Sequence, residues 1–589
     1  MIKHWRLWGS ILFVATSCAA ACDNDDNKDE EPTNTGADTE ETDYETLSAP
    51  LFAIDKLMEV SIEMDSGDWD ALRFDAPGLE HFQTACPAGP RPTSFEWHTA
   101  AVAVNGESLG EVEVRKKGLM GSMTSARPSL KVRFNDDQRA SGIRRMTLNN
   151  GVGDLTFSRE CLSYDLFRAA GVAAPRCGLA RVTVNGEVLG VYTHIEEIRK
   201  PMLENHFGKD ADKTDLYEIT IADFSMDRIA MFEPKGLEDG ETADFSALED
   251  IAEALALDND ELFLELENHL NLEQFFTFWA MEVITAHGDG YSGNQNNSFV
   301  YRNPTTGLFE FIPWGTDGTF YQPWDFFGDF IGEDRPLPWS VYANGALARR
   351  LLEHPEGRAR YEETLRQLLD AVWDEDTLAE KVNQIQETIG PYLEGNLKAA
   401  NKEETAYLLQ FIGDHKARIL AELDDGLPEW DRPAPPLLCA EVEHTLTGVL
   451  NTTMETLNAD IMETGDGEMG DLIGNEVAPL PIVRGVVGAY TDPFGYGMVH
   501  LEVFVGPIDE TNAMAFFIDI PQELFQEGNQ IKLDWGEAQS GVAMIDLATG
   551  DFRLLGFVMT GEMTVEKLDD TPGGEVSVSF DAPVGVIQV

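Results

Sequence analysis

Positive charge is what this chain has least of: 42 lysines and arginines stand against 105 aspartates and glutamates, a formal charge of −63 over 589 residues. A field of that sign repels phosphate backbones and anionic lipid surfaces, which excludes nucleic acid and a charged membrane face as partners. Long apolar runs are missing near the start, where Leu7 to Ala15 is too short to span a bilayer. Cysteine is rare, six in all. What is abundant, 43% hydrophobic and 10% aromatic residues, suffices for two or three globular domains.

Residues 1–22 carry a short basic start (Lys3, Arg6), that apolar run, and small residues leading to Cys18 and Cys22. This resembles a bacterial lipoprotein signal, so the chain is expected to be exported and anchored to a membrane through one lipidated cysteine, either Cys18 or Cys22. Residues 23–45 hold eleven acids and one lysine, and residues 23–48 are expected to be a disordered acidic tether. The other four cysteines, Cys86, Cys161, Cys177 and Cys439, are an even number in an exported chain. They permit two disulfides in three pairings.

Val60 to Met64, Ala100 to Val104 and Glu111 to Lys116 alternate as strands do, with Asn105-Gly106 as a turn. A Gly/Ser/Thr loop containing Gly118 and Ser122 then leads to a strand carrying Lys131. Such a loop cradles phosphates through backbone N–H groups and a cation, or is an ordinary connector. Ser158 caps an expected helix that bears Glu160, and Gly171 stops it. Leu179 to Val184, Asn185-Gly186 and Glu187 to Ile195 read as a hairpin, after which Ile198 to Phe207 reads as a helix.

The most informative stretch is Ile284 to Phe320. Asp289 follows an expected helix, Asn271 to Thr285, and Asp317 follows an apolar run ending in Trp314. Between them, Ser298 to Tyr301 and Leu308 to Ile312 form a hairpin around Asn-Pro and Thr-Gly turn pairs. The hairpin brings the two acids to one end. With Asn294, Asn296 and Asn297 they make an oxygen-rich set suited to Mg2+, though Asn, Asp and Gly are also plain turn formers. His287, Asp289 and Asn294 have the H-x-D-x4-N spacing of a protein-kinase catalytic loop, and Asp317 stands where that fold's metal-binding aspartate falls. His287 and Trp314 are read as structural.

In the order KKGLMGSMTSARPSLKVRF, MTLNNGVGDLTFSRECLSYDLFRAAGV, VNGEVLGVYTHIEEI, HGDGYSGNQNNSFVY and FIPWGTDGTF, over about residues 55–425, the chain resembles the spore-coat protein H (CotH) kinase family. That resemblance implies an α+β, atypical protein-kinase-like two-lobe fold transferring phosphate from ATP to Ser or Thr of exported proteins. It implies Asp289 as the catalytic aspartate, with Asp317 and either Asn294 or Asn297 as metal ligands. It further implies Lys131 on the phosphates with Glu160 as ion-pair partner, and Glu196 and Ile198 at the hinge near adenine. The alternative is a surface adhesion protein using the same scaffold without catalysis.

Beyond this kinase-like domain (49–425), Leu347 to Trp373, Thr377 to Leu393 and Glu403 to Leu423 have helical spacing, and Tyr321 to Trp339 reads as a lid or cleft wall. Residues 426–436 read as a Pro-rich linker. Residues 437–589 are expected to fold separately: a possible helix, Glu441 to Met462, then short strands of a β-sandwich or β-barrel with no visible catalytic constellation.

Overall fold

The computed structural model describes residues 44–588 apart from 77–88, 91–94, 119–122, 136–140, 210, 237–242, 324–336, 436–438, 457–465, 474–475, 507–511, 547–551 and 559. The expected signal, most of the acidic tether, Cys86, Ser122 and most of the expected lid lie outside the described residues.

Seven strands close the first lobe into a barrel: β1 (Leu57–Glu63), β2 (His98–Val104), β3 (Glu107–Lys117), β4 (Ser129–Arg133), β5 (Arg145–Asn149), β6 (Cys177–Val184) and β7 (Glu187–Ile195). Their order is β1-β2-β3-β4-β5-β7-β6, closed by the parallel pairing of β6 with β1. The period-2 alternation decides what each face carries. Val114, Leu130, Val132 and Leu148 fill the interior. Their chain neighbours Arg115, Lys131, Thr147 and Asn149 stand on the outer face, as does Lys117 two residues beyond Arg115; there Arg115 pairs with Lys131 across β3 and β4, and Lys131 with Thr147 across β4 and β5.

The helix Arg159–Ala169 packs outside the barrel and is tied to β6 by the disulfide Cys161–Cys177, with Cα atoms 4.9 Å apart. Of the three possible pairings, the fold brings these two cysteines together.

The second lobe is built on the helix Leu272–Ile284, buried along almost its whole length. Each fully buried side chain such as Phe275, Phe278 or Trp279 contributes roughly 2 kcal/mol. Trp279 stacks on Tyr361 with ring centroids 3.8 Å apart. Against this helix lies a four-stranded sheet in the order β11-β10-β8-β9, made of β8 (Leu216–Ile219), β9 (Glu233–Pro234), β10 (Ser298–Arg302) and β11 (Phe309–Pro313). The β10–β11 pair is the expected hairpin, in register from Ser298↔Pro313 to Arg302↔Phe309.

Several expectations are corrected. The single helix over 347–373 is two, Ala346–Glu353 and Pro355–Val372, because Pro355 cannot continue the first and suits the first turn of the second. The last helix is longer, Gly395–Asp425. Residues 44–48, assigned to the tether, form a short helix whose Tyr44 hydroxyl donates to Glu196 at 3.0 Å. The expected helix from Glu441 is a strand, Cys439–Thr456, which pairs along its length with the final strand Glu575–Gln588. Its β-branched run won once a partner strand was available. Residues 427–435 are no free linker: Arg358 donates to the carbonyls of Leu427 and Pro428, Arg349 to those of Arg432 and Pro433, and Arg228 to that of Pro435.

The C-terminal region is a ten-stranded sheet curled so that its first and last strands pair, around an apolar core of its own. Among the described residues no helix is long and apolar enough to cross a membrane.

Candidate functional site

The helix Leu272–Ile284 ends at Thr285, and Ala286 takes a left-handed φ of 52° that turns the chain into His287-Gly288-Asp289. Gln295 (φ 55°) and Asn297 (φ 46°) are left-handed too. Alanine and glutamine pay of order 1 kcal/mol for that conformation, so the surroundings must impose it. Glu282 does so from inside: its buried carboxyl group accepts from the N–H groups of Tyr291 (2.6 Å) and Ser292 (2.9 Å). Asp223 does so from outside, accepting from the Tyr291 hydroxyl (2.8 Å) and the Gln295 amide. His287 is structural, its Nε2 3.2 Å from the Trp314 carbonyl, and burial drops its pKa to about 4.

This scaffold presents Asp289, 8% exposed, to three side-chain amides. Asn297 donates to Oδ2 at 2.6 Å, while Asn294 and Asn296 (3.3 Å) donate to Oδ1. Burial pushes the carboxyl up to about 7, and the three amides oppose it by favouring the ionised form. Asp317 follows β11 on a single 3-10 turn, Thr316–Gly318. Its carboxyl is raised well above the ordinary value, by burial first and then by the negative charges of Glu160, Asp289 and Asp154. The backbone of Gly153 lies so close that a Cβ there would overlap the Asp317 carboxylate.

A buried carboxyl raised further by the negative charges of three neighbours is the electrostatic situation a bound cation relieves. The side-chain oxygens of Asn294 and Asn296 are buried without a hydrogen-bond partner, which a buried amide oxygen rarely is. Oxygen donors of this kind fit Mg2+.

The barrel's outer face forms the opposite wall, and here the structure changes the expected pairing. Lys131 does not reach Glu160. Its Nζ lies 3.3 Å from Glu197, whose same oxygen is 3.7 Å from Arg145. Burial would raise Glu197, but Arg145 and Lys131 hold it below the usual carboxylate range. Glu160 instead accepts from Asn149 (2.8 Å) and Thr193 (2.5 Å), residues paired across β5 and β7. The lysine whose charge favours ionised Glu160 is Lys117, which also donates to Asn149 at 2.5 Å. Burial still leaves Glu160 raised overall. The reason is strand parity: Lys117 and Lys131 share the outer face, but Lys117 sits opposite Ser129, one rung nearer the helix that carries Glu160.

Gly118 is buried directly after Lys117 at φ 119°, a conformation that favours glycine. Glu196, expected at the hinge, uses its side chain elsewhere. Its carboxylate is committed to Arg176 (2.6 Å) and Tyr44, while the next side chain, Glu197, points the other way to Lys131. Ile198 is buried in the apolar core. Sequence reasoning missed Lys117, Asn149, Glu197, Glu282 and Asp223. The first three had a visible signal, the doubled Lys116-Lys117, Asn149-Asn150 and Glu196-Glu197 pairs, in which alternation sends one member to each side; Glu282 and Asp223 had none.

Residues 107–418 match the family described as CotH kinase protein. The chain is 27% identical over 274 residues to the inner spore coat protein H of Bacillus subtilis, covering 45% of this chain and 73% of that protein. It is 27% identical over 258 residues to invasin CotH2 of Rhizopus delemar, covering 41% and 43% respectively, so it spans less than half of that relative. Among solved structures, the Helicobacter pylori proinflammatory kinase CtkA overlays 50% of this chain and 91% of its own at 9% identity and a TM-score of 0.26. The Shewanella oneidensis toxin–antitoxin complex of HipA and HipB gives the same score at 10% identity, over 62% and 73%. Neither overlay is close enough to carry residues across.

Proposed function

The chain belongs to the CotH kinase family, and from this premise we propose that it is an ATP- and Mg2+-dependent protein kinase acting on Ser or Thr of exported or surface proteins. The observation that carries the reading is Asp289 itself: a buried carboxylate brought near neutrality by burial and gripped by three amides, facing Asp317 at the end of one hairpin. A base whose pKa lies near the operating pH is suited to accept a hydroxyl proton as it attacks. Asp289 takes that role, and its amide partners hold it in one orientation.

Lys117 and Lys131 hold phosphate oxygens, with Glu160 and Glu197 keeping the two ammonium groups in place until the nucleotide arrives. Asp317, Asn294 and Asn297 would hold Mg2+, with the Asn296 oxygen beside them; bound there, the ion neutralises charge developing on the phosphates.

An extracytoplasmic setting agrees with the Cys161–Cys177 disulfide, and attachment through Cys18 or Cys22 belongs to the same proposal. A second reading, a non-catalytic adhesion protein, draws on the relatives named invasins. The two separate on one experiment: Mg-ATP binding by calorimetry together with transfer of labelled γ-phosphate to the protein itself or a generic acceptor. Binding with transfer supports the kinase. Tight binding with no transfer supports the adhesion protein.

A further inference from the structure

The C-terminal sheet reaches the barrel through the turn Asp492–Tyr496, which joins the strands Glu476–Thr491 and Gly497–Val505. The turn is stiffened from within: Asp492 N–H donates to the Tyr496 carbonyl (2.9 Å), and Tyr496 N–H to the Asp492 carboxylate (2.8 Å). At its tip, Phe494 packs against the apolar core of the kinase-like body. Its ring lies 4.3 Å from the guanidinium carbon of Arg127, and the ring of Tyr192 lies 4.6 Å from the same carbon. Arg127, 2% exposed, is therefore held between an aromatic ring of the barrel and one of the C-terminal sheet.

Arg127 sits just before β4, and its backbone leads to the metal-site acid in three contacts. The Arg127 carbonyl accepts from the Asn150 side-chain amide at 2.8 Å, and Asn150 N–H donates to the Ser129 hydroxyl at 3.0 Å. The Asn150 side-chain oxygen accepts from Val152 N–H at 3.2 Å. The next residue is Gly153, whose backbone abuts Asp317. A contiguous run of contacts thus joins Phe494 to the carboxylate.

We propose that the turn Asp492–Tyr496 is a positioning element for the candidate metal site, acting through Arg127 and Asn150 on the backbone at Gly153. The proposal rests on the reading of Asp317 as a metal ligand. Without the Phe494 ring, Arg127 loses one side of its sandwich, the 150–153 segment gains freedom, and the wall against Asp317 softens.

The test uses the full chain with Phe494→Ala and Phe494→Trp, the second keeping an aromatic face for Arg127. Two quantities are read: Mg-ATP affinity by calorimetry, and amide hydrogen exchange resolved over 150–153. Phe494→Ala should weaken Mg-ATP about fivefold, the lower end of typical site-to-site coupling, and speed exchange locally at 150–153. Phe494→Trp should restore both. Unchanged affinity and exchange in Phe494→Ala would overturn the proposal, as would faster exchange spread evenly over the whole barrel, which marks general loosening. If the unaltered protein binds no Mg-ATP, the kinase reading fails, and the local exchange difference still decides whether the turn holds the segment.

Discussion

The two walls of the cleft are built by different means. The wall bearing Asp289 is a loop locked mainly by hydrogen bonds from its own neighbourhood: Glu282, Tyr291, Ser292 and the three asparagines all lie within sixteen residues of chain, and Asp223 braces them from farther off. The wall bearing Lys117 and Lys131 is a set of ion pairs and hydrogen bonds between elements farther apart in sequence, such as Lys131 with Glu197 and Thr193 with Glu160. A locally wired loop holds its geometry before any ligand comes. A cross-strand ion pair can exchange its carboxylate for a ligand phosphate. The first wall is therefore suited to chemistry and the second to capture.

The comparison breaks most sharply at Glu282. Glu282→Ala strips the acceptor from two buried N–H groups and leaves a cavity, and should cost about 3 kcal/mol in thermal or denaturant unfolding. A cost no larger than an exposed site's would mean that the loop is not wired from this residue.

The capture wall comes next. Lys117→Ala should weaken Mg-ATP by roughly tenfold or more, because it removes a charge-assisted contact beside Glu160. Lys131→Ala should weaken it less, since Arg145 remains beside Glu197. Calorimetry on the pair checks the order, and the reverse order would return the main phosphate contact to Lys131.

The same residue sharpens the comparison through pH. Burial raises Glu282 to about 8, far above the value of about 4.3 for an exposed glutamate. Between those values the folded state binds a proton the unfolded state has lost, so stability falls as pH rises through that window and levels off above it. Glu282→Gln, which cannot ionise, should flatten this slope in melting curves taken from pH 5 to 8.5. An unchanged slope would assign the dependence to other buried groups.

This difference between the walls also explains what the sequence made legible. The loop was readable because its spacing, its turn residues and the β10–β11 hairpin are local signals. The Lys131–Glu160 pairing was misread because Lys117 and Lys131 share one face by alternation, and only the barrel's register shows which of them meets the helix. Glu196 and Glu197 posed the same ambiguity in one step of chain. The strand Cys439–Thr456 was misread as helical because its partner, Glu575–Gln588, lies more than a hundred residues away. The disulfide, too, became definite only when the fold set Cys161 beside Cys177.

In the proposed function Asp289 and Asp317 share one site with different duties. The most direct test measures Mg-ATP affinity and γ-phosphate transfer side by side in Asp289→Ala and Asp317→Ala. Asp317→Ala should abolish Mg2+-dependent nucleotide binding, because the triphosphate then meets a chain of charge −63 without its bridging cation. Asp289→Ala should bind Mg-ATP nearly as before while transfer falls by about two orders of magnitude or more. Equal, unaltered nucleotide affinity in both variants would contradict the assignment of the metal to Asp317.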